Sequence, residues 1–143
     1  MTSRFGGGTA VARILIADSR DDVRSALRLL LEQDADVVVS AEATKVEELV
    51  EQVRLTCPDV IMLDCDLPGL EAEDLLPTLR SICPSIRVVA LCARSEVRQA
   101  ALSAGADAFI SKADPPQRLL NAIRQGSGPR VSKAVRRESG ARL

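Results

Sequence analysis

The stretch 58–69, PDVIMLDCDLPG, carries four consecutive apolar residues, Val60-Ile-Met-Leu63, that stop at Asp64-Cys65-Asp66 and a Leu67-Pro68-Gly69 turn. A run this short, with no polar alternation, reads as a strand covered on both faces of a parallel sheet. Working outward, four further runs have the same character: Arg13–Ala17, Val37–Ala41, Arg87–Cys92 and Ala108–Ser111. Between and after them the apolar spacing becomes three and four, as on helices packed by one face. Val23, Ala26, Leu27, Leu30 and Leu31 form one stripe, and Val46, Leu49, Val50 and Val53 a second. Val97, Ala100, Ala101 and Ala104 form another, and Leu119, Leu120 and Ile123 the last. The stretch 70–83 has helical spacing too, but Pro77 predicts either a kink or a late start. The order βαβαβαβαβα predicts an α/β domain with a mostly parallel sheet and helices on both faces.

A chain of 143 residues leaves room for one domain and little more. Residues 1–12 are Gly-rich and read as a flexible arm, 13–125 as the globular body, and 126–143 as a basic, flexible tail. The tail holds five Lys or Arg and one Glu, so it carries a net +4 of a chain whose total is −1. Apolar residues at 46% and charged residues at 27% exclude wholesale disorder. The near-neutral total and the absence of Trp and Tyr argue against an electrostatic or base-stacking nucleic-acid binder. The chain has no His, which removes Ser-His-Asp and Cys-His catalysis and every His-containing zinc site. Cysteines 57, 65, 83 and 92 contain no CxxC pair and are expected to act as small buried hydrophobes in a reducing, cytoplasmic compartment. No apolar stretch approaches the length of a membrane span, and the N-terminal residues do not read as a signal peptide.

In parallel sheets of this kind, ligands bind beyond the carboxyl ends of the strands. The first run ends at Asp18-Ser19, with Asp21 and Asp22 close behind; the third at Asp64-Cys65-Asp66; the fourth at Cys92-Ala93; the fifth at Ser111-Lys112. Two carboxylates drawn into one crevice repel unless a cation lies between them. Mg²⁺, which prefers oxygens and keeps waters and phosphate oxygens in its shell, meets that need. A lysine at a neighbouring strand end supplies a point charge suited to a phosphoryl oxygen. Carboxylate, Mg²⁺ and Lys together suit a carboxylate that accepts a phosphoryl group.

The pieces ILIADSRDDVRSALRLLLE, PDVIMLDCDLPG, VVALCA and GADAFISK resemble, in order and spacing, the receiver domain of two-component response regulators. The resemblance covers roughly residues 13–125. It implies a flavodoxin-like (βα)5 three-layer sandwich with a five-stranded parallel sheet in the order 2-1-3-4-5. It also implies a signalling domain rather than a turnover enzyme, one that takes a phosphoryl group from a sensor histidine kinase or phosphotransfer protein. By position, Asp64 matches the phosphoacceptor and Asp18 an acidic metal ligand. Asp66 matches the place whose main-chain carbonyl meets Mg²⁺, and Lys112 the lysine that contacts the phosphoryl group. Phe109 matches the aromatic that changes rotamer on switching, and Cys92 the hydroxyl residue that bonds the new phosphoryl oxygen.

Three departures qualify the match. Ser19 stands where most members have a second acid, which predicts weakened Mg²⁺ affinity. Cys92 offers a thiol, a weak donor, in place of Thr or Ser. Lys112 is followed by Ala113 rather than Pro, so no cis peptide is expected there, and the loop after Cys92 is about two residues short. These departures keep a second reading in view, a degenerate receiver that docks partners without phosphorylation. A phosphohydrolase would need a substrate-binding insertion, and the sequence shows none long enough. No DNA-binding domain is expected in the chain and no membrane association. The readout would be a surface presented to an output protein, with a homodimer one choice of assembly.

Overall fold

A computed structural model describes residues 11–70 and 75–126. Five strands, β1 (Ala12–Ala17), β2 (Val37–Ala43), β3 (Val60–Asp64), β4 (Arg87–Cys92) and β5 (Ala108–Ser111), form one parallel sheet in the order β2-β1-β3-β4-β5. The helices are α1 (Asp21–Leu31), α2 (Val46–Thr56), α3 (Leu75–Ile82), α4 (Arg98–Ser103) and α5 (Pro116–Gly126), with a 3-10 turn at Ser95–Val97. The flavodoxin-like class and the strand order are those the sequence resemblance implied. Apart from residues 11, 12 and 126, the expected flexible arm and basic tail lie outside the described residues. So does the segment 71–74, where the choice between a kink and a late start for α3 would be decided.

Strand pleat sorts the apolar residues into two layers. On one face Ile14, Ile16, Met62, Val89 and Ile110 pack against Leu31 of α1 and Leu119 and Ile123 of α5. On the other, Leu15, Ile61 and Val88 meet Leu49 and Val53 of α2 and Leu75, Leu76 and Leu79 of α3. Every residue of β3 is buried, as a central strand covered on both sides requires. Full burial of a Leu or Ile side chain contributes about 1.5–3 kcal/mol, so these two layers dominate the stabilisation. A smaller cluster of Ala90, Cys92, Ala106 and Phe109 lies beneath α4.

β1 and β2 pair with one irregularity. Ile14 faces Val39, but Leu15 faces Ala41, so Ser40 is an extra residue in the edge strand. Val37 and Val39 then join the α1/α5 layer, whereas Ala43 joins the α2/α3 layer. No peptide bond among the described residues is cis.

The expectation for the cysteines needs correcting. They are not separate buried hydrophobes: Cys57 is bonded to Cys83 and Cys65 to Cys92, with Cα separations of 5.8 and 5.2 Å. Both separations fall in the ordinary range for a disulfide. Partners 26 and 27 residues apart left no local spacing signal. What brings them together is the β3–β4 register. Asp64 faces Leu91, so the next pair along is Cys65 and Cys92, and parallel register partners point to one face. Cys57 and Cys83 precede the same two strands at their opposite ends.

Candidate functional site

The strand order reverses between β2-β1 and β3, and the crevice at that point collects the polar strand ends. Asp18 follows β1, Asp64 ends β3 and Lys112 follows β5. Asp18 and Asp64 are only 1% and 5% exposed. Lys112 Nζ donates to Asp64 Oδ1 at 3.0 Å and to Asp18 Oδ2 at 3.4 Å. Three groups far apart in sequence therefore meet in one pocket. With one ammonium for two carboxylates, a formal negative charge is left uncompensated there.

Each member is held by main chain or by a neighbouring side chain. The Arg20 N–H donates to Asp18 Oδ1 at 2.9 Å, turning the chain into α1. The Lys112 N–H donates to the Cys92 carbonyl at 2.7 Å, tying the lysine's backbone to the end of β4. The Cys65 N–H donates to the Leu91 carbonyl at 3.2 Å, which extends the β3–β4 ladder past Asp64. Partial burial works against the Lys112 ammonium. The hydrogen bond to Asp64 and the charges of Asp64 and Asp18 outweigh it and hold its pKa above the usual 10.5.

A support that sequence reading missed lies behind Asp18. Arg24 Nη1 donates to the Asp18 carbonyl at 2.8 Å, while its Nε donates to Glu42 Oε1 at 2.9 Å. Arg28 Nε reaches Glu42 Oε2 at 3.1 Å. The hydrogen bond from Arg28 lowers the Glu42 pKa; burial opposes that, and Arg24 adds to the lowering. The signal was present in the sequence, since Arg24 and Arg28 stand four apart on one helix face, but nothing local pointed to Glu42 as their acceptor.

The remaining sequence-derived candidates separate. Ser19 is exposed, and Asp21 and Asp22 are paired with Arg24 and Arg20, so neither acid replaces the missing second carboxylate. Asp66 is exposed, because the turn sends the adjacent Leu67 inward to 2% exposure. Among the described residues, no group of three or more His, Cys, Asp or Glu side chains stands where it could hold a metal ion. Cys92 and Phe109 are both buried in the cluster under α4. The weak thiol donor expected at Cys92 is not there, because its sulfur is bonded to Cys65.

The donor set still suits a Mg²⁺ ion. Two buried carboxylates with a net negative charge match a cation that commonly takes one or two protein carboxylates and completes its shell with water and phosphate oxygens. Asp18 and Asp64 are the side chains that would hold it. Beside the crevice, a cleft of about 330 Å³ opens between α3 and α4. Its lining is mostly apolar and includes Cys65, Leu75, Leu76, Ala101 and Arg94.

Comparison with known proteins bears out the fold. Residues 14–124 match the family described as "Response regulator receiver domain". The transcriptional activator protein ExaE of Pseudomonas putida is 35% identical over 115 residues, covering 78% of this chain and 53% of that protein. The nitrate/nitrite response regulator protein NarL of Escherichia coli is 30% identical over 118 residues, covering 81% and 55%. The chain thus spans about half the length of the curated relatives it matches. Among solved structures, a LuxR-family two-component response regulator from Aurantimonas superposes with a TM-score of 0.73 at 29% identity, over 80% of this chain and 84% of that one. The response regulator domain of Thermotoga maritima CheB gives 0.72 at 26% identity, over 82% and 96%.

Proposed function

This chain belongs to the response regulator receiver domain family, and from that membership we propose that it accepts a phosphoryl group on Asp64. The donor is a phosphohistidine of a sensor histidine kinase or phosphotransfer protein. An Asp64 carboxylate oxygen attacks phosphorus, the P–N bond breaks, and the histidine ring leaves. The product is an acyl phosphate whose oxygens need a cation close by, and Lys112 Nζ, already 3.0 Å from Asp64, is the amine in reach. Asp18 and Asp64, with the main-chain carbonyl of Asp66, would hold Mg²⁺. The ion's chemistry there is to offset charge on the phosphoryl oxygens.

The observation that carries this reading is the convergence of Asp18, Asp64 and Lys112, which arise from three different strand ends. A strand-end aspartate that merely capped a loop would need neither a second buried carboxylate nor an ammonium bridging the two. Ser19 offers a hydroxyl where a second acid is usual, so the affinity for Mg²⁺ is weakened. Phe109 and the β4 end at Cys92 lie where a charge placed on Asp64 is passed to the surface around the fourth and fifth βα units. That surface is what an output protein reads. The setting is a cytoplasmic phosphorelay, and the domain signals rather than turning over a substrate.

The test is labelling of the purified chain by a small acyl phosphate or phosphoramidate with and without Mg²⁺, read by intact mass. Addition of one phosphoryl group, dependent on Mg²⁺ and lost in Asp64→Ala, is the expected result. No label on the unmodified chain, or undiminished label after Asp64→Ala, overturns the proposal.

A further inference from the structure

The two disulfides join the same pair of strands, but they differ in what they join. Cys57 and Cys83 lie at the amino ends of β3 and β4, away from the crevice. Cys65 and Cys92 lie at the carboxyl ends, and Cys65 is peptide-bonded to Asp64. Cys92 is 1% exposed and its carbonyl accepts the Lys112 N–H. Cys65 is partly exposed and lines the cleft between α3 and α4. One bond therefore ties the backbone that carries Asp64 to the strand end that anchors Lys112 and leads into α4.

We propose that Cys65 and Cys92 are a reversible oxidation site whose disulfide form clamps the end of β4 to the Asp64 loop and uncouples phosphorylation from movement of the β4–α4 segment. The consequence for signalling rests on the phosphoacceptor reading of Asp64; the oxidation site itself does not. The β3–β4 register holds the two Cα atoms at 5.2 Å, a bonding separation, so the disulfide forms without strand rearrangement. Cys65 lines the open cleft and is the sulfur that hydrogen peroxide meets first. Its thiolate attacks a peroxide oxygen and the O–O bond breaks. The departing oxygen takes the thiol proton and leaves as water, giving a sulfenic acid at Cys65. The Cys92 sulfur then attacks the Cys65 sulfur, and the hydroxyl leaves with the Cys92 proton as a second water. Two thiols lose two electrons and two protons, and one hydrogen peroxide becomes two waters. Thiol–disulfide exchange with a glutathione-type thiol reverses the bond.

The dithiol state frees the β4 end to shift toward a charge on Asp64. The disulfide holds it in register with β3, so the segment 93–104 keeps one position whatever Asp64 carries. Cys57–Cys83, distant from the crevice, serves as the internal comparison.

The experiment equilibrates the whole chain in graded reduced and oxidised glutathione, blocks free thiols and maps the peptides, so that each pair is read separately. The chain carrying Cys57→Ala and Cys83→Ala isolates the site pair; if that variant does not fold, the peptide map of the unmodified chain gives the same assignment. Hydrogen exchange over 93–104 is then compared in the two redox states, before and after treatment with Mg²⁺ and acetyl phosphate. Cys65 and Cys92 are expected to lose their thiols together and reversibly, with slower exchange over 93–104 in the oxidised chain. Phosphorylation is expected to change that exchange in the reduced chain and several-fold less in the oxidised one. Persistent thiols or separate glutathione adducts at 65 and 92, or equal exchange in both redox states, overturn the proposal. Equal phosphorylation responses in the two states overturn its signalling part. If neither state takes up label, the phosphoacceptor reading fails, while the exchange difference between the unlabelled states still decides the oxidation site.

Discussion

Replacing Lys112 with Met keeps most of the side chain's volume and removes the charge between Asp18 and Asp64. The two hydrogen-bond legs, 3.0 and 3.4 Å, cap the separation of the carboxylate oxygens at about 6.4 Å. At an effective dielectric of ~20, two unlike charges at these leg lengths attract by about 5 kcal/mol each, and two like charges at the capped distance repel by at least ~2.6 kcal/mol. Desolvation of the ammonium offsets much of the attraction, and the Lys112 side chain is itself 27% exposed. The expected net cost at neutral pH is therefore ~2–3 kcal/mol, at or below the low end for breaking a buried ion pair. Urea unfolding followed by far-UV circular dichroism suits a chain without Trp or Tyr, with the redox state held fixed. The loss reflects both the attraction removed and the repulsion uncovered. The double variant Asp18→Asn with Lys112→Met should recover more than half of it. No recovery in the double variant would refute the electrostatic account of this pocket.

Three further outcomes are expected. Because the Lys112 pKa is raised, its stabilisation is fully present below the usual 10.5 and fades as pH rises through the raised value. Alkaline unfolding of the unmodified chain should therefore show a drop above that point that Lys112→Met lacks, and the absence of Tyr keeps the comparison simple. Glu42 has a lowered pKa, so its contribution is present above the usual 4.5 and is lost as pH falls through the lowered value. Glu42→Gln should cost about 1 kcal/mol at pH 7, with the two unfolding curves converging in acid. Gly69 has φ +89°, and an added Cβ would meet the Val46 Cβ at 3.1 Å. Gly69→Ala should cost ~1–3 kcal/mol and lower the urea midpoint at an unchanged slope.

The strands were legible because central parallel strands leave a dense apolar signature. Val60–Leu63 and Arg87–Cys92 need no tertiary information to stand out. β2 runs two residues past the expected Ala41, to Ala43. Glu42 hid that extension, since a charged residue reads as the end of a strand unless its counter-charges on α1 are known. The crevice was legible at Asp18, Asp64 and Lys112 because the fold sends strand ends to one edge. Asp66 was less so: a turn decides which of two neighbours faces inward, and here Leu67 takes that place. The cysteine pairs were invisible because their proximity is a property of register between β3 and β4, not of spacing along the chain.

The extra residue in β2 fixes the phase of everything beyond it. Side chains alternate along a strand, so a single added position inverts the parity of all that follow. Ser40 is that position, and it is why Glu42, opposite Ile16, shares the face of α1 and meets Arg24 and Arg28. Deleting Ser40 would restore regular pairing and leave Glu42 opposite Ile16, whereas drawing Ser40 into the ladder would turn Glu42 toward α2 and α3, away from Arg24 and Arg28. Arg24 would then keep only the exposed Asp21 as counter-ion while it holds the Asp18 carbonyl. The turn at 33–36, just upstream, absorbs a change of length without altering parity. The bulge is therefore what keeps the reading frame of an edge strand in step with the chemistry, through a single arginine.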